Sequence, residues 1–362
     1  TPLATSPTRA PKIRGGFLLM TCQGGAEAAL QDRQRALVPE ATQATWRRGM
    51  VTFRLGSLDP PDDYFPDLCF ARAVIRSLGS VTGGSLPEQV ANLATLVTHA
   101  TWDDVHVWHR DARLKDRVDA AAIRAAVLES RGLSATRAPA TRPGDLVLDC
   151  LIDTPDRWWV GWHRASTPTS CLPGGLHDRE LPAEKVSRAW LKLDEALAVF
   201  AVPLAAGQRA IELGASPGGA CQRLLEAGLH VIGIDPAVVD ARVAAHPRFE
   251  QWRMRARDAR VRDFRGCHWL VADMNIDPRS TLSALERIVT APGVRPVGII
   301  ATLKLPNWSR AAELPDWLAR FRACGFEPRA WQLSRRRTTR WAGRAAAGAQ
   351  ARPWPAPAAR LK

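Results

Sequence analysis

Ala210-Ile211-Glu212-Leu213-Gly214-Ala215-Ser216-Pro217-Gly218-Gly219-Ala220 decides the fold of the second half of the chain. Its apolar start, with an acid near the end, predicts a short strand over 209–213. The glycines predict a tight turn and then a helix, Gly219 to Ala227, closed at Gly228, a residue suited to the left-handed conformation that ends helices. A second apolar run, His230-Val231-Ile232-Gly233-Ile234, ends in Asp235. Strand, glycine turn, helix and a strand ending in an acid form the first half of a nucleotide-binding α/β sheet.

The order of the glycines bears on which nucleotide. A dinucleotide site wants G-x-G-x-x-G, so that pyrophosphate can sit on the helix N-terminus. Here the order is G-x-x-P-G-G, and Pro217 removes a backbone donor from the turn. That suits a ligand without pyrophosphate, approached closely by the backbone of Gly214, Gly218 and Gly219. Asp235 stands 21 residues after Gly214 (235 − 214), where an acid accepts hydrogen bonds from ribose hydroxyls. S-adenosyl-L-methionine answers both points. A nicotinamide-dependent oxidoreductase is the reading that the Pro-Gly-Gly turn argues against. Glycine-rich turns occur in many α/β proteins, so the turn has to be weighed with its surroundings.

Three further stretches supply them. Ser187-Arg188-Ala189-Trp190-Leu191-Lys192-Leu193-Asp194-Glu195 lies upstream, and Val271-Ala272-Asp273-Met274 and Leu303-Lys304-Leu305-Pro306 lie downstream. In this combination the chain resembles the FtsJ-like RNA 2'-O-ribose methyltransferases. The first stretch is similar to their signature helix, and the other two stand where that family has its catalytic Asp and second catalytic Lys. With its N-terminal half, the chain most resembles the branch that carries a THUMP-type N-terminus and methylates a cytidine of bacterial large-subunit (23S) ribosomal RNA. The resemblance extends to about Leu333.

The resemblance implies a general base, Lys304, with Lys192 and Asp273 orienting it and the ribose, and no metal. It also implies cofactor contacts from Glu212, Gly214, Ala215, Ser216, Pro217, Gly218, Gly219, Asp235 and Asp273, with Asp258 as acceptor for the adenine amine. The family's fourth catalytic member, a Glu, has no counterpart here: Thr338 or Thr339 stands in its place. On that departure rests the rival reading, an RNA-binding protein that keeps the fold with weak or no catalysis.

Some of these residues have a plainer reading. Lys192 could be a solvated side chain paired with Glu195 at i,i+3. Asp258 could equally pair with Arg255, Arg257, Arg260 or Arg262. Asp273 and Lys304 are harder to dismiss, because each ends an apolar run, at the strand edge where such sheets bind ligands.

Composition points the same way. The formal charge is +14 and the isoelectric point about 10.4, which favours a polyanionic partner such as RNA. Seven scattered cysteines contain no C-x-x-C, suggesting neither a zinc site nor a disulfide framework, and a reducing cytoplasm fits them. No apolar run approaches the roughly 18 residues of a membrane span, and Phe17-Leu18-Leu19-Met20 is too short for a signal core. Oligomeric state leaves no mark on the sequence.

In chain order, residues 1–14 are polar and expected to be disordered. A β-α-β-β order then predicts a ferredoxin-like subdomain over 15–82. Helices followed by alternating strands over 83–165 resemble a THUMP-type RNA-binding domain, although an ordinary α+β packing domain would read the same way. A Pro-, Gly-, Ser- and Thr-rich linker spans 166–184. Residues 185–334 alternate strands and helices, as a Rossmann-like methyltransferase sheet requires. Residues 335–362 carry eight cations and no acid, contributing +8 of the +14. This basic tail is expected to be flexible and reads as a phosphate binder or as a solubilising extension.

Overall fold

The computed structural model describes residues 16–345 apart from 66–67, 98–100, 137, 139, 178 and 335–338, and only the backbone of 339–345. The expected disordered segment 1–14, Thr338 and the end of the basic tail lie outside the described residues. The chain divides into two units between His177 and Asp178.

The first unit is built on a seven-stranded sheet. It runs β1 (Phe17–Thr21), α1 (Glu27–Leu37), β2 (Thr42–Arg47), β3 (Met50–Arg54), β4 (Val74–Thr82), α2 (Leu86–Leu96), β5 (Asp104–His109), α3 (Ala120–Ser130), β6 (Leu146–Thr154) and β7 (Arg157–Arg164), with strand order β2-β3-β1-β4-β7-β6-β5. The sequence predicts two modules meeting near residue 82, but the structure joins them in one sheet. The joint is β4, whose first half pairs with β1 and whose second half pairs with β7 across an irregularity between Ser77 and Gly79. A strand with neighbours on both sides cannot be a module boundary.

Alternation of side chains along these strands gives the sheet two buried faces. One face packs Leu148, Cys150, Ile152, Val160 and Trp162 under α2 and α3, through Leu93, Ile123, Val127 and Leu128. The other face packs Leu19, Met50, Ile75, Trp108 and Leu151. Across it runs the start of the stretch expected as a linker. That stretch is fixed as far as Gly175: a Cβ on Gly174 would lie 2.5 Å from the Trp108 ring and one on Gly175 2.1 Å from the Arg72 carbonyl oxygen. Both adopt positive φ, 63° and 65°, which only glycine accepts at low cost.

The second unit starts with α4 (Arg188–Val199), capped by the Ser187 side chain accepting from the Ala189 amide. There follow β8 (Arg209–Leu213), α5 (Gly219–Glu226), β9 (His230–Ile234), α6 (Ala241–Ala244), β10 (Phe249–Trp252), β11 (Trp269–Ala272), α7 (Pro278–Val289), β12 (Gly298–Leu305), α8 (Leu314–Ala323), β13 (Pro328–Gln332) and β14 (Thr339–Ala345). The sheet order is β10-β9-β8-β11-β12-β14-β13. Strands β10 through β12 are parallel, and β14 inserts antiparallel between β12 and β13. This is a Rossmann-like arrangement. Residues 339–345, expected within a flexible tail, are therefore an interior strand. Their backbone is bonded on both sides, which holds a strand together even where Arg, Gly and Ala give little β-propensity.

Among the described residues no helix is long and apolar enough to cross a membrane.

Candidate functional site

The chain lays down β8, runs outward through β9 to β10, then returns to place β11 on the other side of β8. The switch point therefore lies between the carboxyl ends of β8 and β11, where open α/β sheets bind ligands. The glycine turn follows β8, and Asp273 follows β11. The two are tied together, since the Asp273 amide donates to the Leu213 carbonyl at 3.1 Å.

The turn is held by the chain itself. The Gly214 and Ala215 amides donate to the Ile234 carbonyl at 2.9 and 3.4 Å. The Ser216 amide donates to Asp235 Oδ2 at 3.2 Å, and the Ala237 amide to Oδ1 at 2.8 Å. With Pro217 lacking an N–H, four successive residues offer no free donor to a phosphate, so this is no pyrophosphate cradle. The close approach that glycine allows is also taken up by protein. A Cβ at Gly214 would lie 3.0 Å from Met274 Cα, one at Gly218 3.0 Å from Val243, and one at Gly219 2.2 Å from Ser187 Oγ. The sequence reading assigned that closeness to a ligand, because a sequence does not show which neighbours fold against a turn.

Two of the candidate acids are matched with partners in the chain. Glu212 is 1% exposed and accepts from the Cys221 thiol at 2.8 Å, and burial pushes its carboxyl up to about 8. Asp258 is exposed, 3.7 Å from Arg257, one of the partners the sequence offered it.

Lys192 and Asp273 meet. Lys192 Nζ donates to Asp273 Oδ2 at 2.5 Å, with the side chains 18% and 12% exposed. Lys192 is thus neither solvated nor paired with Glu195. The Glu195 carboxylate is buried and accepts from the Ser334 amide and hydroxyl at 2.8 and 2.7 Å, tying α4 to the end of β13. A cleft beside the pair is lined by Ala189, Lys192, Asp273, Ile300, Thr302 and Leu333.

Lys304, near the end of β12, donates to Asn275 Oδ1 at 2.8 Å. Burial lifts the Asp273 carboxyl to about 6, with the Lys304 charge opposing, and the Lys192 ammonium works in the same sense as Lys304. Burial also holds the Lys304 amine below the ordinary lysine value, with Asp273 opposing. A lysine so placed gives up its proton more readily than a solvated one, and that is what a base near neutral pH needs. Sequence reasoning missed Asn275; its only signal was its place two residues after Asp273.

Among the described residues, His106, Asp149 and His163 in the first unit are close enough together to hold a metal ion. His163 Nδ1 lies 2.6 Å from Asp149 Oδ2. Two ligands of one tetrahedral zinc would stand roughly 3.3 Å apart, given bonds of about 2.0–2.1 Å. The contact is therefore a hydrogen bond, with a proton shared.

Residues 185–305 match the FtsJ-like methyltransferase family. Over 203 residues the chain is 30% identical to "Ribosomal RNA large subunit methyltransferase M" of Pseudoalteromonas translucida, covering 54% of each. Over 119 residues it is 34% identical to the protein of that name from Marinobacter nauticus, covering 31% of this chain and 32% of the relative. The chain spans about half the length of the curated relatives it matches. Among solved structures it aligns with TrmN from Thermus thermophilus at 15% identity and TM-score 0.34, over 91% of this chain and 99% of that one, a likeness too loose to build on. The second unit of this protein carries, over residues 185–305, a domain of the FtsJ-like methyltransferase family.

Proposed function

We propose that the protein uses S-adenosylmethionine to methylate a ribose 2'-hydroxyl of large-subunit ribosomal RNA, a cytidine by the resemblance, with Lys304 as general base. The observation that carries this reading is the group at the switch point: an ion pair of Lys192 and Asp273 beside a lysine whose amine burial holds below its ordinary value. When bound, the cofactor supplies a methyl group on a sulfonium sulfur that leaves as a neutral thioether.

The residues present fit such a group. The turn offers no phosphate cradle, and Asp235, held by two backbone amides, keeps lone pairs for a ribose diol. Residues 214–219 would flank it, while buried Glu212 would act through the packing of α5 rather than by contact.

The chain's own task is then proton handling and alignment. A ribose hydroxyl is a poor nucleophile at neutral pH, so it must be oriented and its proton accepted as the oxygen–carbon bond forms. Lys304 Nζ would receive that proton. Asp273, held by Lys192, balances the charge that develops on Lys304. The net charge of +14 supports an RNA partner, drawn by its phosphates.

The rival, an RNA-binding protein without catalysis, keeps one observation: β14 brings Thr339 rather than a carboxylate opposite Leu305. Tritiated-methyl transfer to ribosomal RNA from cells lacking this protein separates the two. The expected product is one nucleotide whose 3' linkage resists alkali, because its 2'-oxygen is capped. RNA that binds well yet takes up label only at background would favour the rival.

A further inference from the structure

The hydrogen bond between Lys304 and Asn275 is a contact at the site that the roles above leave unused. Asn275 sits on the short connection between β11 and α7, and that connection is fixed at both ends. Before it, the Asp273 amide bonds Leu213, and Met274 packs in the space a Cβ on Gly214 would fill. After it, Asp277 caps α7 through the Arg279 amide at 2.8 Å and pairs with Arg310. Asn275 is thus presented from a fixed backbone, its side chain exposed and its Oδ1 2.8 Å from Lys304 Nζ. An ammonium only donates, so the atom facing it is the amide oxygen.

We infer that Asn275 is a positioning residue for Lys304: its amide oxygen holds one N–H of the amine and so aims the amine's remaining valence at the substrate hydroxyl. The inference rests on Lys304 being the base. A neutral amine has two N–H groups and one lone pair; tethering one N–H to a fixed acceptor restricts where the lone pair points. The acceptor's neutrality matters as much as its position. A carboxylate in the same place would orient the amine equally well, but would stabilise the ammonium and raise the lysine pKa by about 1–3 units. The amide gives direction without adding a charge that holds the proton on the amine.

The test uses the full chain with Asn275→Asp and Asn275→Ala, beside wild type and Lys304→Ala. Two things are measured: the Lys304 titration in the free protein, by NMR of 13C-labelled lysine, and the pH dependence of methyl transfer to ribosomal RNA. Asn275→Asp should raise the Lys304 pKa by about one unit or more and move the rising limb of the rate profile up with it, leaving the rate roughly tenfold lower below that limb and recovering at high pH. Asn275→Ala should lower the plateau rate roughly tenfold without moving the limb upward, and both variants should bind S-adenosylmethionine as wild type does. An unmoved Lys304 titration in Asn275→Asp, or wild-type rates in both variants, would overturn the inference. So would equal loss of cofactor binding in both, which would mark Asn275 as merely structural. A wild type whose methyl transfer does not depend on Lys304 would instead overturn the reading of Lys304 as base, and with it this role for Asn275.

Discussion

Each unit of the protein gathers titratable side chains on its sheet, and the two gatherings are built to different ends. In the first unit, His106 and Asp149 are direct cross-strand partners inside β5 and β6, and His163 reaches them from β7. His163 Nε2 faces the Ser170 carbonyl at 2.8 Å, an acceptor only, so that nitrogen carries a proton. Its other nitrogen faces Asp149, whose charge and hydrogen bond outweigh burial and raise the His163 pKa. His106 is held neutral, its pKa pushed down to about 3 by burial and then by the His163 charge. Thr141 donates to Asp104 and accepts from His106 Nε2. Everything in this network points inward. In the second unit, Asp273 and Lys304 stand beyond or near the ends of strands and Lys192 reaches Asp273 from α4, all three partly exposed, with Asn275 open to solvent. The same residue chemistry stabilises a fold when enclosed by strands and becomes available to a substrate when set at their ends.

Breaking the enclosed cluster should cost the most. Asp149→Ala strips the buried His163 of the carboxylate it pairs with, and about 3–5 kcal/mol of stability should be lost in denaturant unfolding of the first unit. A loss under about 1 kcal/mol would show that the cluster does not hold the sheet. The counterpart in the second unit is Lys192→Met. It should lower methyl transfer roughly 10²-fold while costing less stability than Asp149→Ala, because Asp273 stays partly open to solvent. A large loss of stability there would erase the contrast between the units.

Smaller effects sharpen the picture of the open edge. Asp235→Ala should weaken S-adenosylmethionine binding about tenfold in calorimetry, the size of a lost charged hydrogen bond. NADH binding in place of S-adenosylmethionine would contradict the cofactor assignment. A last effect, read in stability rather than binding, concerns Glu212, whose pKa rises from 4.5 to about 8 on folding. A raised folded-state pKa contributes stability that is complete below the unfolded value and lost as pH rises through the folded one. Stability should therefore sag between pH 4.5 and 8, and Glu212→Gln should flatten the part above about 6, where Asp273 has already titrated. An unchanged slope in that variant would mean that Glu212 is ionised in the folded protein.

How much of this the sequence disclosed depended on the range of the interactions. The strands at 209–213 and 230–234 and the glycine turn were legible because their signals are local: apolar runs, punctuating glycines and an acid at a fixed offset. Lys192 and Asp273 could be set together only by family resemblance, since nothing local joins residues 81 apart. Strand β14 was hidden because its arginines and glycine read as a tail, while its pairing with β12 and β13 depends on backbone alone. Asn275 carried no pattern, and its meaning lies in where β12 ends. The boundary expected at residue 82 falls at the end of β4, a strand that serves both flanks of its sheet. The glycines were placed correctly, but the neighbours that require them, Met274, Val243 and Ser187, come from three other parts of the chain.

If the open-edge cluster performs chemistry and does not merely line a binding surface, methyl transfer must depend on Lys304. That dependence is tested most directly by counting methyl groups incorporated into ribosomal RNA at saturating RNA and S-adenosylmethionine, in wild type and Lys304→Ala side by side. The expected result is a wild-type signal at a single ribose and a fall of roughly 10²-fold or more in the variant, with cofactor affinity little changed. Equal counts in the two proteins, whether both high or both at background, would contradict it.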